Sequence, residues 1–209
     1  MTSVGDGFAW PFQDPGWFGK MIVQGLIGII PIIGWISLAG WLMLTIENYR
    51  AGRRELPPAG FHLDRGGPIF LVLLVYSIVF ALPGSAIAGS GGVARAAGLV
   101  SLGDLINFAL RLILSFLTPA IILLTYQRGL AGGFDVNVVW DTAIGNVNHS
   151  IVAGLMIFVA GIVGGLGVLL CCIGLLFTIP YAAAITAGVV VWYEKVIGGS
   201  LTAPPGAPA

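Results

Sequence analysis

Residues 21–46 read MIVQGLIGIIPIIGWISLAGWLMLTI, and this apolar run decides the fold class. As one α-helix, the run would be about 39 Å long, whereas the hydrocarbon core of a bilayer is about 30 Å thick. Pro31 and Gly34 lie within the run, and a proline removes one helical hydrogen bond and clashes with the preceding turn. The run therefore predicts either one kinked membrane helix or two unequal helices that meet in a tight hairpin or re-entrant turn.

The composition of the 209-residue chain extends this prediction to the whole protein. Hydrophobic residues make up 57% of the chain and charged residues 9%, whereas a soluble domain carries about 25% charged residues. A soluble monomer is therefore excluded. The formal net charge is zero, so no basic face is expected for nucleic acid. Cys171 and Cys172 are adjacent in an apolar segment, which favours a packing role over a disulfide framework or a zinc site.

Further apolar runs follow at 69–82, 102–128, 151–170 and 175–193, and the last two are typical of a transmembrane hairpin. Ser101 and Asp104 predict a helix N-cap, and Pro119 predicts a kink in the helix that follows. We therefore predict an all-α polytopic transmembrane helix bundle. It has about five or six membrane helices in a single domain over residues 21–197.

Three segments are predicted to lie outside the bundle core. Residues 1–20 carry five aromatic residues among Gly, Pro and Asp, a composition typical of headgroup depth, and they lack the pattern of a signal peptide. Residues 198–209 form an Ala/Pro-rich tail that we expect to be disordered. Residues 136–149 are amphipathic, with Trp140 on the apolar face and Asp141 and His149 on the polar face. Because this segment lacks Lys and Arg, we expect an interfacial elbow, with a partner-docking face as the alternative.

The basic residues predict an orientation in the membrane. If the runs alternate sides, the 47–67 loop, the 127–149 segment and the C-terminus share one side and carry six basic residues. Arg95 lies on the other side. The positive-inside rule then places the 47–67 loop and the C-terminus in the cytoplasm. A hairpin at 21–46 would place the N-terminus there too, whereas a single helix would place it outside.

A polar stripe on the helix predicted at 102–128 is the main candidate binding site. At about 100° per residue its members fall within an arc of about 80°: Asp104, Asn107, Arg111, Ser115 and Thr118. Because a charge inside an apolar helix is expensive, the stripe predicts a hydrated cavity, a headgroup or substrate pocket, or a subunit contact, with Arg111 binding an anion. The alternative is that Arg111 snorkels to the surface or bonds to a neighbouring helix.

A small-residue face is predicted farther along the chain. Gly161 and Gly165 have the Gly-xxx-Gly spacing, and Gly164 lies beside them, so another helix can approach closely. The spacing does not distinguish an intramolecular helix from a second subunit.

The sequence supports catalysis least of all function classes. No Ser-His-Asp set, phosphate-binding Walker loop, zinc-protease motif or paired carboxylate in an apolar setting is recognisable. His62 and His149 lack the neighbours at ligand spacing that a metal site requires. We therefore predict no metal and no cofactor, and the alternative of a tetrapyrrole or another pigment stays open.

Several short motifs resemble those of an uncharacterised prokaryotic membrane protein family, domain of unknown function four-zero-one-three. The resemblance covers about residues 12–82 and is carried by Phe12-Gln-Asp14-Pro15-Gly-Trp17, Pro31, Gly40-Trp41 and Leu56-Pro57. It implies a polytopic inner-membrane protein, and it transfers no catalytic or binding residue.

These patterns together predict a non-catalytic membrane protein, an accessory or scaffold subunit of a membrane complex or homo-oligomer. Its expected partners are membrane lipids and either itself or other membrane subunits, not nucleic acid. The alternative is a small transporter, channel or lipid-binding protein that uses the stripe around Arg111.

Overall fold

The protein is helical throughout the part of the chain that the structure describes. The structure, a computed structural model, describes residues 5–88, 100–170 and 173–198. These ranges contain no strand. The helices are α1 (Asp6–Ala9), α2 (Trp17–Gly28), α3 (Ile33–Arg50), α4 (Leu63–Ala88), α5 (Leu102–Phe134), α6 (Val136–Gly145), α7 (Val147–Leu166) and α8 (Leu175–Val196), with 3-10 turns at Trp10–Gln13 and Gly167–Leu170.

Four helices, α4, α5, α7 and α8, are long and apolar enough to cross a membrane. The predicted all-helical class is therefore confirmed, whereas the predicted total of five or six membrane helices is not. Helix α2 has 12 residues, too few to span the hydrocarbon core. Helix α3 has 18 residues and carries Glu47 and Arg50 in its last turn.

The apolar run at 21–46 forms a helical hairpin rather than one kinked helix. Pro31 lies in the turn between α2 and α3. Ile32 has a φ of 65°, and the Ile33 N–H donates to the Pro31 carbonyl at 2.7 Å, which is the hydrogen bond of a γ-turn. Gly34 allows the two helices to meet, because a Cβ atom there would overlap the Ile27 carbonyl. The chain thus turns at Pro31, which cannot continue the first helix.

The tip of this hairpin is apolar, and four of its five backbone N–H groups between residues 29 and 34 have hydrogen-bond partners within the tip. Ile29, Ile32 and Trp35 are 64%, 65% and 61% exposed. The N–H groups at positions 29, 30, 33 and 34 donate to carbonyls of residues 26–31, and Pro31 has no N–H. Such internal partners are what a backbone needs inside hydrocarbon. The tip is therefore suited to contact with lipid.

Helix α5 begins and breaks at identifiable residues. Ser101 and Asp104 form the predicted N-cap, a capping box in which each side chain bonds to the backbone of the other. Gly129, with a φ of 66° and a ψ of −154°, is the residue of α5 with non-helical backbone. Pro119 stays within the helix. The break lies at Gly129 because glycine adopts a positive φ without a Cβ clash.

The predicted amphipathic segment divides between two helices. Helix α6 ends at Gly145, so His149 falls in the first turn of α7, where it is exposed with its ring 6.2 Å from that of Trp192. On α6, Val139 and Ala143 are buried, whereas Trp140 is 50% exposed. Asp141 is exposed as well. Helix α6 therefore packs through a narrow apolar face and leaves the rest of its surface open.

One end of the bundle, here called the polar end, collects several segments that are distant in sequence. The contacts are Trp10 Nε1 to Arg53 O at 3.0 Å, Arg50 Nη2 to Glu194 Oε1 at 2.7 Å, Gln127 Nε2 to Glu194 Oε1 at 3.1 Å, and Ser150 Oγ to Tyr193 Oη at 2.9 Å. They bring together the N-terminal segment, the loop after α3, the end of α5, the start of α7 and the end of α8. The N-terminal segment thus lies at the same end as the loop after α3, as expected for a hairpin.

Some predicted features fall outside the described residues. These are residues 1–4 of the predicted aromatic segment, residues 199–209 of the predicted tail, Arg95, and the cysteine pair at 171–172.

Candidate functional site

The polar stripe on α5 has a mixed environment. Four of its members are half-buried and one, Arg111, is exposed; the half-buried residues are Asp104, Asn107, Ser115 and Thr118. Thr118 Oγ1 donates to the Leu114 carbonyl of its own helix at 2.7 Å, and the Asp104 carboxylate accepts hydrogen bonds from Ser101. Arg111 makes no ion pair with any residue that the structure describes. The stripe thus presents a cation that has no ion-pair partner among the described residues, beside two side chains, Asp104 and Thr118, that bond to nearby residues of the same segment.

The predicted glycine face of α7 has two environments. Gly164 is buried against α8, where an added Cβ would lie 3.3 Å from Ala182 Cβ. Around Gly161 and Gly165, an added Cβ would meet no described atom within 4 Å. Gly164 therefore serves packing within the chain, whereas Gly161 and Gly165 leave an open face.

An apolar groove of about 480 Å³ lies between the α2–α3 hairpin and the start of α8. Its walls include Gly28, Trp35, Leu38 and Ile179. Its buried polar side chain, Gln24, is already bonded: Nε2 donates to Ser37 Oγ at 3.0 Å and Oε1 accepts from the Gly60 N–H at 3.1 Å. The groove therefore offers an incoming group an apolar surface. No sequence pattern predicts this groove, because the groove depends on where the hairpin meets α8.

A buried polar junction, also missed from sequence, ties the start of α2 to the loop after α3. Asp14 is 3% exposed, and its Oδ2 accepts from Lys20 Nζ at 2.7 Å and from the Leu56 N–H at 2.8 Å. Its Oδ1 accepts from the Gly16 N–H at 2.7 Å. Lys20 Nζ also donates to the Leu56 carbonyl at 2.7 Å. Burial alone would raise the pKa of Asp14, but the hydrogen bonds from Lys20, Gly16 and Leu56 outweigh burial and lower that pKa.

Three of the four short motifs that carried the family resemblance meet at this junction, whereas Pro31 lies at the tip of the hairpin. Trp41, fully buried, donates from Nε1 to the Pro57 carbonyl at 3.3 Å. Gly40 packs directly on the His62 carbonyl, and a Cβ there would overlap that oxygen. The Asp14 carboxylate accepts a hydrogen bond from the Leu56 N–H of the same loop. These motif residues thus fix the loop after α3 against the hairpin. The sequence does not show this role, because the motifs are separate in the chain.

A second cavity, here called the basic cleft, lies at the polar end and measures about 320 Å³. It is lined by residues of the N-terminal segment, the end of α3 and the end of α8, and its charged members are Asp6, Arg50, Arg53, Arg54 and Lys195. Arg50 donates to Glu194 Oε1 at 2.7 Å, and its Cζ lies 5.0 Å from the centre of the Tyr126 ring. The cleft is therefore cationic, and its charges come from segments far apart in sequence.

The potential metal-ligating side chains are dispersed over the described residues. Within residues 5–88, 100–170 and 173–198, no three His, Cys, Asp or Glu side chains lie together in a way that could hold a metal ion.

Comparison with known proteins gives one match. A family model described as protein of unknown function (DUF4013) matches residues 23–173, which is well over half of the chain. The match begins inside α2 and so leaves out Asp14, and it extends past the end of α7. No curated protein and no solved structure matches the chain. The family prediction made from the motifs is thereby confirmed.

Proposed function

The chain belongs to the family of proteins of unknown function (DUF4013), and we propose that it is a non-catalytic subunit of a membrane complex or homo-oligomer. In this proposal it is an accessory or scaffold protein of the prokaryotic inner membrane. Its task is to bind another transmembrane helix.

The open glycine face of α7 carries this proposal. Helix α7 packs on α5 where the rings of Phe108 and Phe158 are 6.0 Å apart, and Gly161 and Gly165 lie about one and two turns farther along α7. No described atom lies within 4 Å of a Cβ built at either glycine. Helices associate in membranes where small residues allow close backbone contact, so this face supports the binding of a helix from outside the described chain.

Charge supports an orientation for this subunit. The segments at the polar end carry Lys20, Arg50, Arg53, Arg54, Arg65, Arg128 and Lys195, whereas α5 carries Arg111 toward the other end. By the positive-inside rule the polar end is cytoplasmic. The N-terminus, the loop after α3 and the C-terminus then all lie on the cytoplasmic side.

Leucine at both open glycines is expected to abolish helix association. In the double variant Gly161→Leu/Gly165→Leu, the new side chains keep a partner backbone at a distance, whereas the fold has room for them. The oligomeric state in nanodiscs, and the membrane proteins that co-purify from mild detergent, should both change. We expect the stability of the subunit itself to change by less than about 0.5 kcal/mol.

Gly67→Leu on α4 is the matched control, because a Cβ at Gly67 also meets no described atom within 4 Å. It should leave association intact. The proposal is wrong if the wild-type protein is a monomer without membrane partners, or if the double variant associates as the wild type does.

A small transporter, channel or lipid-binding protein is the second candidate. The exposed Arg111 guanidinium, without an ion-pair partner among the described residues, supports an anion-binding role for the stripe. The apolar groove beside α8 supports the binding of a lipid chain.

Arg111→Leu distinguishes this second candidate from the first. If the stripe binds a transported or lipid anion, proteoliposomes of the variant should lose at least tenfold in flux or lipid transfer, since a hydrogen bond to a charged group contributes about 1.5–3 kcal/mol. Arg128→Leu, also exposed but at the other end of α5, serves as the control. Unchanged activity of a correctly folded Arg111→Leu protein would exclude the candidate.

A further inference from the structure

The basic cleft is built from three separate segments that the fold brings to one place. Trp10, from the N-terminal 3-10 turn, lies against Tyr49 of α3 with ring centres 4.6 Å apart. The Trp10 indole N–H donates to the Arg53 carbonyl at 3.0 Å and so fixes the backbone that carries Arg53 and Arg54. Lys195 enters from the end of α8. The cleft is therefore a feature of the folded polar end and not of one flexible loop.

The charges around the cleft are only partly neutralised. Arg50 is paired with Glu194, and Arg53 Nη1 donates to the Asn48 side-chain oxygen at 3.2 Å. Arg54 and Lys195 are exposed and have no ion-pair partner in the part of the chain that the structure describes. Asp6 is the acidic residue of the lining. Two cations thus remain available to an incoming anion.

Tyr49 adds a hydrogen-bond donor that no described residue uses. The residue lines the cleft and is 3% exposed, and its hydroxyl is buried without a hydrogen-bond partner among the described residues. A buried polar group that stays unpaired costs free energy, so a partner from outside the chain would be favoured here. A phenol donates a hydrogen bond at neutral pH, and phosphate oxygens accept such bonds.

We propose that the basic cleft binds a phosphate group through Arg54, Lys195 and the Tyr49 hydroxyl. Arginine and lysine side chains are the usual protein ligands of phosphate. The cavity volume of about 320 Å³ is at the lower end of the range for ligand sites. The phosphate belongs either to the headgroup of an anionic phospholipid or to a soluble phosphate compound. Basic pockets at the cytoplasmic ends of membrane helices are suited to anionic headgroups.

This site is separate from the open glycine face on α7, so each proposal can fail without the other. Titration calorimetry on the detergent-purified full chain tests the cleft with three probes: short-chain phosphatidylglycerol, phosphatidylcholine of the same chain length, and inorganic phosphate. We expect phosphatidylglycerol to bind more tightly than phosphatidylcholine, and increasingly so at low ionic strength.

Two variants separate binding from folding. Arg54→Gln/Lys195→Gln should raise the Kd for the anionic probe roughly 25-fold, because each Lys or Arg near an anionic group contributes a factor of about five. Tyr49→Phe should weaken binding by roughly fivefold, yet leave the melting temperature of the unliganded protein equal or higher, because it removes an unpaired hydroxyl. Arg128→Gln, an exposed basic residue outside the cleft lining, should bind as the wild type does.

The probes identify the source of the phosphate. Tight binding of phosphatidylglycerol that inorganic phosphate does not displace assigns the cleft to a lipid headgroup. Binding of inorganic phosphate with the same dependence on Arg54 and Lys195 assigns it to a soluble phosphate compound. Equal affinities of the wild type and the double variant for every probe would overturn the proposal, as would equal binding of phosphatidylcholine and phosphatidylglycerol together with no binding of inorganic phosphate.

Discussion

Replacing Asp14 by alanine is expected to lower the free energy of unfolding by about 3 kcal/mol. The carboxylate accepts three hydrogen bonds while 3% exposed, so its loss leaves the Leu56 N–H buried and unpaired and removes the partner of the Lys20 ammonium. Reversible denaturation in detergent micelles measures the change. Asp141→Ala, an exposed carboxylate on α6, is the control and should change stability by less than about 0.5 kcal/mol.

The effect of Asp14 should depend on pH with a defined sign. Because the hydrogen bonds hold the pKa of Asp14 below its usual 3.8, the folded state favours the charged carboxylate. The contribution to stability is then complete above that usual value, and it is lost as the pH falls through the lower pKa of the folded state. The unfolding free energies of wild type and Asp14→Ala should therefore converge below about pH 4. A difference that stays constant down to pH 2 would contradict the role of the charged carboxylate.

Gly25→Leu is expected to destabilise the fold by at least about 3 kcal/mol or to prevent folding. The α2 backbone touches α8 at this residue, and even a Cβ at Gly25 would overlap the Leu176 carbonyl. Since the overlap is with backbone atoms of α8, which no rotation of a side chain can move, the hairpin would have to move away from α8. Thermal unfolding and the yield of monodisperse protein measure the effect.

Gly19→Leu provides the comparison within the same helix. A Cβ at Gly19 meets no described atom within 4 Å, so the same substitution should leave the melting temperature nearly unchanged. If Gly25→Leu were as stable as Gly19→Leu, the close contact between the hairpin and α8 would be wrong.

The four long apolar helices and the start of α5 were predictable because they depend on local patterns. The apolar runs gave the positions of α4, α5, α7 and α8, and Ser101 with Asp104 gave the start of α5. Pro31 indicated an interruption between α2 and α3. The choice between a kink and a hairpin was open, because it depends on Gly34 meeting Ile27 and on Gly25 meeting Leu176.

The sites were harder to predict because they join residues far apart in sequence. Asp14 and Leu56 are 42 positions apart, and Arg50 and Glu194 are 144 positions apart. The residue pattern within one helix cannot predict contacts between residues so far apart in sequence. The stripe around Arg111 and the glycine face of α7 could be predicted because the residues of each lie on one helix. Whether the stripe binds a ligand, or the glycine face binds a partner, depends on molecules outside that helix and so cannot be predicted from its sequence.

The hairpin topology is the central claim, since the junction at Asp14, the basic cleft and the proposed cytoplasmic side of the polar end all depend on it. The most direct measurement is the labelling of single cysteines by a membrane-impermeant reagent, in sealed right-side-out and inverted vesicles. Ala9→Cys, Ala51→Cys and Val100→Cys, each exposed, are placed in a Cys171→Ser/Cys172→Ser background. The hairpin predicts that positions 9 and 51 are labelled from the cytoplasmic side and position 100 from the other. Labelling of positions 9 and 51 from opposite sides would mean that residues 21–46 cross the membrane once, and would contradict the hairpin.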